Sequence, residues 1–116
     1  MILLVDDNNV SREAFAKILR LHGHDTMEAA DASEALSILG NIHFDLVITD
    51  FVMPNMSGFQ LITKIRQNWP RTKIMLVSGY LTPEIGEMIS EDVEFIPKPV
   101  EVSTLLNAIE RLVGKP

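Results

Sequence analysis

The stretch Leu46-Val47-Ile48-Thr49-Asp50, followed by Phe51-Val52-Met53-Pro54-Asn55-Met56-Ser57-Gly58, is the most informative part of the chain. Its first three residues form a continuous apolar run, which is typical of a strand covered on both faces in a parallel sheet. Asp50 would then lie at the carboxyl end of the strand, where open α/β sheets bind their ligands. The alternative role for Asp50 is to cap the next helix. Because Ser57 and Gln60 already form a capping-box pattern, the sequence favours a functional role for Asp50.

The composition restricts the chain to a few classes of protein. With 116 residues, of which 47% are hydrophobic, it suits one domain spanning residues 1–116 with one sizeable core. It has no cysteine, which excludes disulfides and thiolate metal sites, and the apolar run at residues 1–5 is too short for a signal or membrane segment. A formal net charge of -6 argues against direct nucleic-acid binding, because no basic stripe could neutralise phosphates. We therefore expect a cytoplasmic domain without a membrane segment.

Five short stretches that predict strands alternate with five helical patterns along the chain. These stretches are residues 2–5, 26–29, 46–50, 74–77 and 94–96, of which residues 26–29 give the weakest strand pattern. Apolar residues of the first helical pattern recur at helical spacing, at Val10, Ala14, Ile18 and Leu21. Capping residues precede three other helices, at Asp31, Ser57 and Thr82. The fourth helix contains Gly86, and we expect it to be short and mobile. The alternation predicts an α/β fold, with a parallel sheet, right-handed crossovers and helices on both faces.

Acidic side chains follow two of the predicted strands. Asp6 and Asp7 follow the first strand and Asp50 ends the third, and because these strands are neighbours in such a sheet, the three carboxylates should converge at one edge. Carboxylates this close repel one another, so either some are protonated with a raised pKa or a cation balances them. Mg²⁺ takes oxygen ligands and usually keeps several waters beside one or two carboxylates, which makes a Mg²⁺ site the simpler explanation. The three histidines lack the ligand spacing of a Zn²⁺ site.

A carboxylate beside Mg²⁺ is a suitable nucleophile for phosphorus, so Asp50 is our candidate to form an aspartyl phosphate. Lys98, after the fifth strand, could pair with a phosphoryl oxygen, and Ser78, at the end of the fourth, could donate its hydroxyl to another. Each of these two residues is unremarkable alone, since a lysine between prolines is usually solvated and a Ser-Gly pair usually forms a turn. Their position at the same edge as Asp50 favours the functional interpretation.

These residues resemble the receiver domains of two-component response regulators over essentially the whole chain. The matching residues, in the family's order, are Asp6-Asp7, Asp50 with Met53-Pro54 and Ser57-Gly58 after it, Ser78, and Lys98-Pro99. The resemblance implies a flavodoxin-like (βα)5 fold with strand order 2-1-3-4-5. It also implies a phosphoacceptor that catalyses only its own phosphorylation and dephosphorylation.

The resemblance further implies specific roles at the site. Mg²⁺ would be held by Asp7, Asp50 and the backbone carbonyl of Val52, with Asp6 helping through water. The peptide bond between Lys98 and Pro99 would be cis, a geometry accessible because the bond precedes proline.

The family's switch positions correspond to Ser78 and Phe95 in this chain. The family has Tyr or Phe at the second position. This chain has Phe95, so no hydroxyl is available there to rearrange its hydrogen bonds. Another departure is Gly79, which stands where a small Ala is common. The resemblance implies a histidine kinase or phosphotransfer protein as phosphodonor, with the effector outside these residues. It also implies that a homodimer could form on phosphorylation. In the family, the fourth helix contributes to the usual dimer surface, and in this chain that helix is less regular.

Three other classes of protein remain as alternatives. A flavin-binding flavodoxin needs a Ser/Thr/Gly-rich first loop, whereas Asp6-Asp7-Asn8-Asn9 repels a phosphate unless a metal is present. A phosphatase with an Asp nucleophile normally has a second Asp two residues later, and this chain has Val52. The third alternative is a receiver remnant that acts only as an interaction module, but the retention of all five site residues argues against it.

Overall fold

The chain forms five successive β-α units in a computed structural model that describes residues 1–53 and 56–116. The strands are β1 (Ile2–Val5), β2 (Thr26–Ala29), β3 (Leu46–Asp50), β4 (Lys73–Ser78) and β5 (Val93–Pro97). The helices are α1 (Asn9–Leu21), α2 (Ala32–Leu39), α3 (Gly58–Asn68), α4 (Pro83–Met88) and α5 (Val102–Val113). Pro54, which belongs to the motif after Asp50, lies outside the described residues.

The strands form one parallel sheet in the order β2-β1-β3-β4-β5. This arrangement confirms the predicted flavodoxin-like fold. The register aligns the carboxyl ends of the strands, with Val5 opposite Thr49, Asp50 opposite Val77, and Ser78 opposite Pro97. Polar residues that end or follow different strands are therefore brought to one edge of the sheet.

Helices cover both faces of the sheet, as the strand-helix alternation predicts. Leu3 and Val5 point into an apolar cluster with residues of α2, α3 and α4. Ile2 and Leu4 point to the opposite face, into a cluster with α1 and α5. Because successive side chains of a strand alternate between faces, a strand buried on both sides is apolar throughout, which explains the unbroken apolar runs.

Helix α1 lies where the sequence predicts it, but its buried face differs from the apolar stripe seen in the sequence. Val10 is 80% exposed and Leu21 is 74% exposed, whereas Ala16 and Leu19 are fully buried. The small Ala16 lies on the face of α1 that packs against the sheet. The half-buried Arg12 lies on the same face, where its side chain binds Glu28 and the Asp6 carbonyl. Because Arg12 is polar, the spacing of apolar residues alone does not identify this face as the buried one.

Capping groups fix where α3 begins. The Ser57 side chain accepts a hydrogen bond from the Gln60 backbone N–H, and the Gln60 side chain accepts one from the Ser57 backbone N–H. This reciprocal capping box confirms that α3 does not need Asp50 as its cap.

Helix α4 is the shortest of the five described helices. It has six residues, begins with Pro83 and is capped by Thr82, whose hydroxyl accepts from the Ile85 N–H. The predicted short helix is thus confirmed, and its mobility stays a prediction. None of the helices among the described residues combines the length and the apolar character that a membrane span requires.

Gly58 lies where the start of α3 passes closest to the end of β3. A Cβ atom at this position would lie 2.7 Å from the Cα and 2.8 Å from the carbonyl oxygen of Phe51, and both are backbone atoms that cannot rotate away. The backbone N–H of Gly58 also donates to that Phe51 oxygen at 2.8 Å, so separating the segments would break a hydrogen bond. We expect Gly58→Ala to lower the free energy of unfolding by about 2 to 3 kcal/mol, as measured by urea denaturation.

Gly86 provides the matched control for this prediction. A Cβ atom there would have no neighbour within 4 Å among the described residues, and Gly86 lies inside α4. Gly86→Ala should therefore raise the free energy of unfolding by about 0.5 to 1 kcal/mol, because glycine is less favourable than alanine in a helix. Equal effects of the two substitutions would contradict the close contact proposed at Gly58.

Candidate functional site

The carboxylates of Asp6, Asp7 and Asp50 converge at the carboxyl edge of the sheet. One oxygen from each lies within 4.8 Å of the others, and we call these three residues the acidic cluster. Asp6 and Asp50 are 7% and 8% exposed, whereas Asp7 is exposed to solvent. The convergence follows from the sheet topology, because β1 and β3 are adjacent parallel strands.

Hydrogen bonds hold the loop that carries Asp6 and Asp7. The Asp6 backbone N–H donates to the Ala29 carbonyl at 3.1 Å, and the Asp6 carboxylate accepts from the Asn8 N–H at 2.9 Å. Asn8 in turn caps α1, with its side-chain oxygen accepting from the Ser11 N–H at 2.9 Å. The start of α1 and the direction of the Asp6 side chain are thereby linked.

Asp50 is held at the end of β3 by its neighbours along the chain. The Phe51 N–H donates to the Val77 carbonyl at 3.1 Å, and the Thr49 hydroxyl donates to the Asp50 carbonyl at 3.0 Å. Burial, a hydrogen bond to Asp6 and repulsion from Asp6 together raise the pKa of Asp50 to about 6, because Lys98 only partly offsets these effects. Without a bound cation, protonation of Asp50 therefore removes part of the cluster's negative charge at and below about pH 6.

Lys98 reaches the acidic cluster from the end of β5. Its Nζ lies 2.8 Å from the Asp50 Oδ1, and its backbone N–H donates to the Ser78 carbonyl at 2.8 Å. The peptide bond between Lys98 and Pro99 is cis. The hydrogen bond to Asp50 raises the pKa of Lys98, so this ammonium group stays protonated at physiological pH.

The structure places the remaining predicted residues, Ser78, Phe95 and Val52, in β4, in β5 and after β3. Ser78 is 9% exposed, and its hydroxyl oxygen accepts from the Tyr80 N–H at 3.3 Å. Phe95 is half-buried in β5, opposite Leu76, and packs against the core on the face covered by α2, α3 and α4. Val52 follows Asp50 by two residues and its side chain is 79% exposed. The role of its backbone carbonyl as a metal ligand stays a prediction.

The chemistry of the donor set fits a hard divalent cation. The three residues offer carboxylate oxygens only, which Mg²⁺ prefers, and Asp7 leaves one side of the cluster open to water. The acidic cluster therefore offers the type of ligand that a Mg²⁺ site requires.

The raised pKa of Asp50 predicts a pH-dependent stability of the metal-free protein. The folded state holds the Asp50 proton more tightly than the unfolded chain does, where the pKa is near the ordinary 3.8. Stability from this group is therefore full below about pH 4 and is lost as the pH rises through about 6. We expect the free energy of unfolding of the parent, relative to Asp50→Asn, to fall between about pH 4.5 and pH 7. Urea denaturation in EDTA would test this, and a pH-independent difference between the two proteins would contradict it.

One residue at the site is absent from the sequence-based prediction. Arg12 donates from Nη1 to the Asp6 backbone carbonyl at 2.8 Å. Its position six residues after Asp6, among polar residues at the start of α1, gave no apolar or motif signal. The contact becomes visible only in the structure, because it depends on how α1 is oriented against the sheet.

The parallel sheet, the acidic cluster and the adjacent lysine define a class of protein, the flavodoxin-like phosphoacceptor domains. The family described as the response regulator receiver domain matches residues 2–110. The chain belongs to this family, and it is a phosphoacceptor signalling domain of the kind found in response regulators and hybrid histidine kinases.

Similar proteins include both of these types. The chain is 34% identical over 112 residues to the response regulator protein FleR of Pseudomonas aeruginosa, with 95% of this chain and 24% of FleR covered. It is 31% identical over 118 residues to the sensor kinase CckA of Brucella abortus, with 98% of this chain and 12% of CckA covered. The chain thus spans a quarter or less of the length of these two relatives.

Solved structures show the same fold. The chemotaxis protein CheY4 of Vibrio cholerae superposes with a TM-score of 0.86 at 29% identity, and 96% of each chain is covered. The receiver domain of the hybrid histidine kinase CckA superposes with a TM-score of 0.81 at 34% identity, and 97% of each chain is covered.

Proposed function

We propose that Asp50 accepts a phosphoryl group from the phosphohistidine of a histidine kinase or phosphotransfer protein. The observation that carries the proposal is the convergence of Asp6, Asp7 and Asp50 within 4.8 Å, with Lys98 Nζ 2.8 Å from the Asp50 carboxylate. Mg²⁺ would be held by Asp7, Asp50 and the Val52 carbonyl, with Asp6 acting through water. When bound, it supplies positive charge to oxygens of the transferring group.

The residues of the chain then have distinct roles in the transfer. A carboxylate oxygen of Asp50 forms the new bond to phosphorus, while the bond from phosphorus to the donor's imidazole nitrogen breaks and its electron pair stays on that nitrogen. Lys98, protonated and already beside Asp50, pairs with a phosphoryl oxygen. Ser78 donates its hydroxyl to another phosphoryl oxygen. The domain acts on no separate substrate and promotes only its own phosphorylation and dephosphorylation.

Intact mass spectrometry tests the proposal directly. The protein is incubated with acetyl phosphate, or with a phosphorylated histidine-containing phosphotransfer protein, in Mg²⁺ or in EDTA. We expect the mass to rise by one phosphoryl group in Mg²⁺ and to stay unchanged in EDTA. An unchanged mass with both donors in Mg²⁺ would reject the phosphoacceptor function.

Phosphorylation should also act as a conformational switch. A phosphoryl group on Asp50 would draw the Ser78 hydroxyl toward it, away from the Tyr80 N–H that it now accepts from, and the half-buried Phe95 ring could fill the space vacated. The surface around α4 and β5 would carry the signal, because α4 is the shortest described helix.

We therefore expect backbone amide exchange across residues 82–95 to change when beryllofluoride and Mg²⁺ are added as a phosphoryl mimic. Ser78→Ala should reduce the change because it removes the hydroxyl that responds to the mimic. Ser103→Ala, at an exposed position of α5, serves as the control and should leave the change intact. Identical exchange with and without the mimic would argue against the switch.

The partners follow from this chemistry. The phosphodonor must bring its phosphohistidine to the carboxyl edge of the sheet, and the effector lies in another domain or protein. We propose a cytoplasmic setting, no direct contact with nucleic acid or membrane, and a homodimer that forms only after phosphorylation. Gel filtration with and without beryllofluoride would test the dimer.

A further inference from the structure

Arg12 projects from the inward face of α1 toward the loop that carries Asp6 and Asp7. Its side chain is 12% exposed, its Nη1 donates to the Asp6 carbonyl at 2.8 Å, and its Nε donates to Glu28 Oε1 at 3.3 Å. A guanidinium group is costly to bury unless an opposite charge and hydrogen-bond acceptors accompany it. Glu28 and the Asp6 carbonyl provide both, so Arg12 is held in one orientation.

The oxygen that Arg12 binds belongs to the peptide group between Asp6 and Asp7. Because a peptide group is planar, the direction of the Asp6 carbonyl also fixes the Asp7 N–H and the bond to the Asp7 Cα. The Asp6 N–H is bound to the Ala29 carbonyl, and the Asp6 carboxylate accepts from the Asn8 N–H. The hydrogen bond from Arg12 additionally restrains the peptide group between Asp6 and Asp7. It therefore restrains the backbone of Asp7, the exposed member of the acidic cluster.

Glu28 connects this restraint to the sheet. It lies in β2 opposite Leu4 of β1, two residues before Asp6. Its second oxygen, Oε2, accepts from Arg20 Nη2 at 3.4 Å, so one carboxylate is shared by two arginines of α1. Arg12 is therefore anchored to Glu28 of β2 and links this strand to the loop that carries Asp6 and Asp7.

We propose that Arg12 is a positioning residue for divalent-cation binding at the acidic cluster. By holding the Asp6-Asp7 peptide it keeps the Asp7 carboxylate directed toward Asp50, and it does so without touching the cation. The proposal rests on the proposed function, because it presupposes that the cluster binds Mg²⁺. Groups that orient metal ligands typically change metal affinity by about 10-fold to 100-fold when they are removed.

Arg20 provides a matched control. It lies on the same helix and pairs with the same Glu28, but its backbone contact is the Thr26 carbonyl at 2.8 Å, at the amino end of β2. Arg12→Met and Arg20→Met each remove one arginine from Glu28 and keep the aliphatic part of the side chain. Only the first substitution releases the Asp6-Asp7 peptide.

The experiment measures the Mg²⁺ dissociation constant from the amide NMR shifts of Asp7 and Asn8. Arg12→Met should bind Mg²⁺ about tenfold more weakly than the parent, whereas Arg20→Met should stay within about twofold. In metal-free protein, the Asp7 and Asn8 amides should exchange faster in Arg12→Met than in Arg20→Met. Urea denaturation of both variants separates this local effect from a general loss of stability.

Arg12→Lys keeps the charge but has one nitrogen, which cannot bind Glu28 and the Asp6 carbonyl in the geometry of the guanidinium fork. Its affinity for Mg²⁺ should lie between those of the parent and of Arg12→Met. If Arg12→Met does not fold, Arg12→Lys takes its place in the comparison with the parent. Parent-like Mg²⁺ affinity in the folded Arg12 variant would overturn the positioning role and leave the proposed function standing. Absence of Mg²⁺-induced shifts in the parent itself would overturn both.

Discussion

Replacing Asp50 with asparagine should abolish phosphorylation of the protein. The amide has the shape of the carboxylate but lacks the anionic oxygen that attacks phosphorus, and the other two members of the acidic cluster lie on a different strand end. Intact mass spectrometry with acetyl phosphate and Mg²⁺ should show one added phosphoryl group on the parent and none on Asp50→Asn.

The control for this prediction is Asp25→Asn. Asp25 is exposed and precedes β2 at the amino edge of the sheet, opposite to the acidic cluster, so this variant should be phosphorylated like the parent. Folding of Asp50→Asn is checked by its melting curve, because the substitution removes a buried negative charge and should not unfold the domain. Phosphoryl incorporation into folded Asp50→Asn would assign the chemistry to another residue, which peptide mapping would identify.

Strand positions were predictable because both faces of this sheet are covered. Leu46, Val47 and Ile48 form a continuous apolar run before Asp50, and the structure places β3 at Leu46–Asp50. β4 and β5 each extend one residue beyond both predicted ends, at Lys73–Ser78 and Val93–Pro97, because the residues at their ends still pair with neighbouring strands. The acidic cluster was predictable from the same logic, since parallel strands bring their carboxyl ends together.

The orientation of α1 and the role of Arg12 could not be predicted in this way. Apolar spacing favoured a stripe that includes Val10 and Leu21, yet both are exposed, because a charged residue paired with Glu28 occupies the inward face. Burial of a paired arginine depends on a contact between residues sixteen positions apart, which no local pattern records. The pKa of Asp50, raised to about 6, likewise depends on burial and on Asp6, both of which are tertiary effects.

Mg²⁺ should stabilise the folded protein, and Asp7→Ala should remove this effect. A cation that binds only the folded state stabilises it by mass action, by about 1.4 kcal/mol at a free concentration about ten times its dissociation constant. For a domain of this size that corresponds to a rise in melting temperature of roughly 5 °C. Differential scanning calorimetry in EDTA and in millimolar Mg²⁺, at constant ionic strength, measures the rise.

The sign of the Asp7→Ala effect without metal separates a cation site from a general effect of salt. Asp7 belongs to the cluster of three carboxylates, so its removal relieves repulsion and should raise the melting temperature in EDTA while losing the response to Mg²⁺. Asp25→Ala, at the opposite edge of the sheet, should melt and respond to Mg²⁺ like the parent. The two variants lose the same formal charge, so a change in net charge alone would affect them equally. A Mg²⁺ response that survives in Asp7→Ala, or that is equally lost in Asp25→Ala, would therefore contradict cation binding by the acidic cluster.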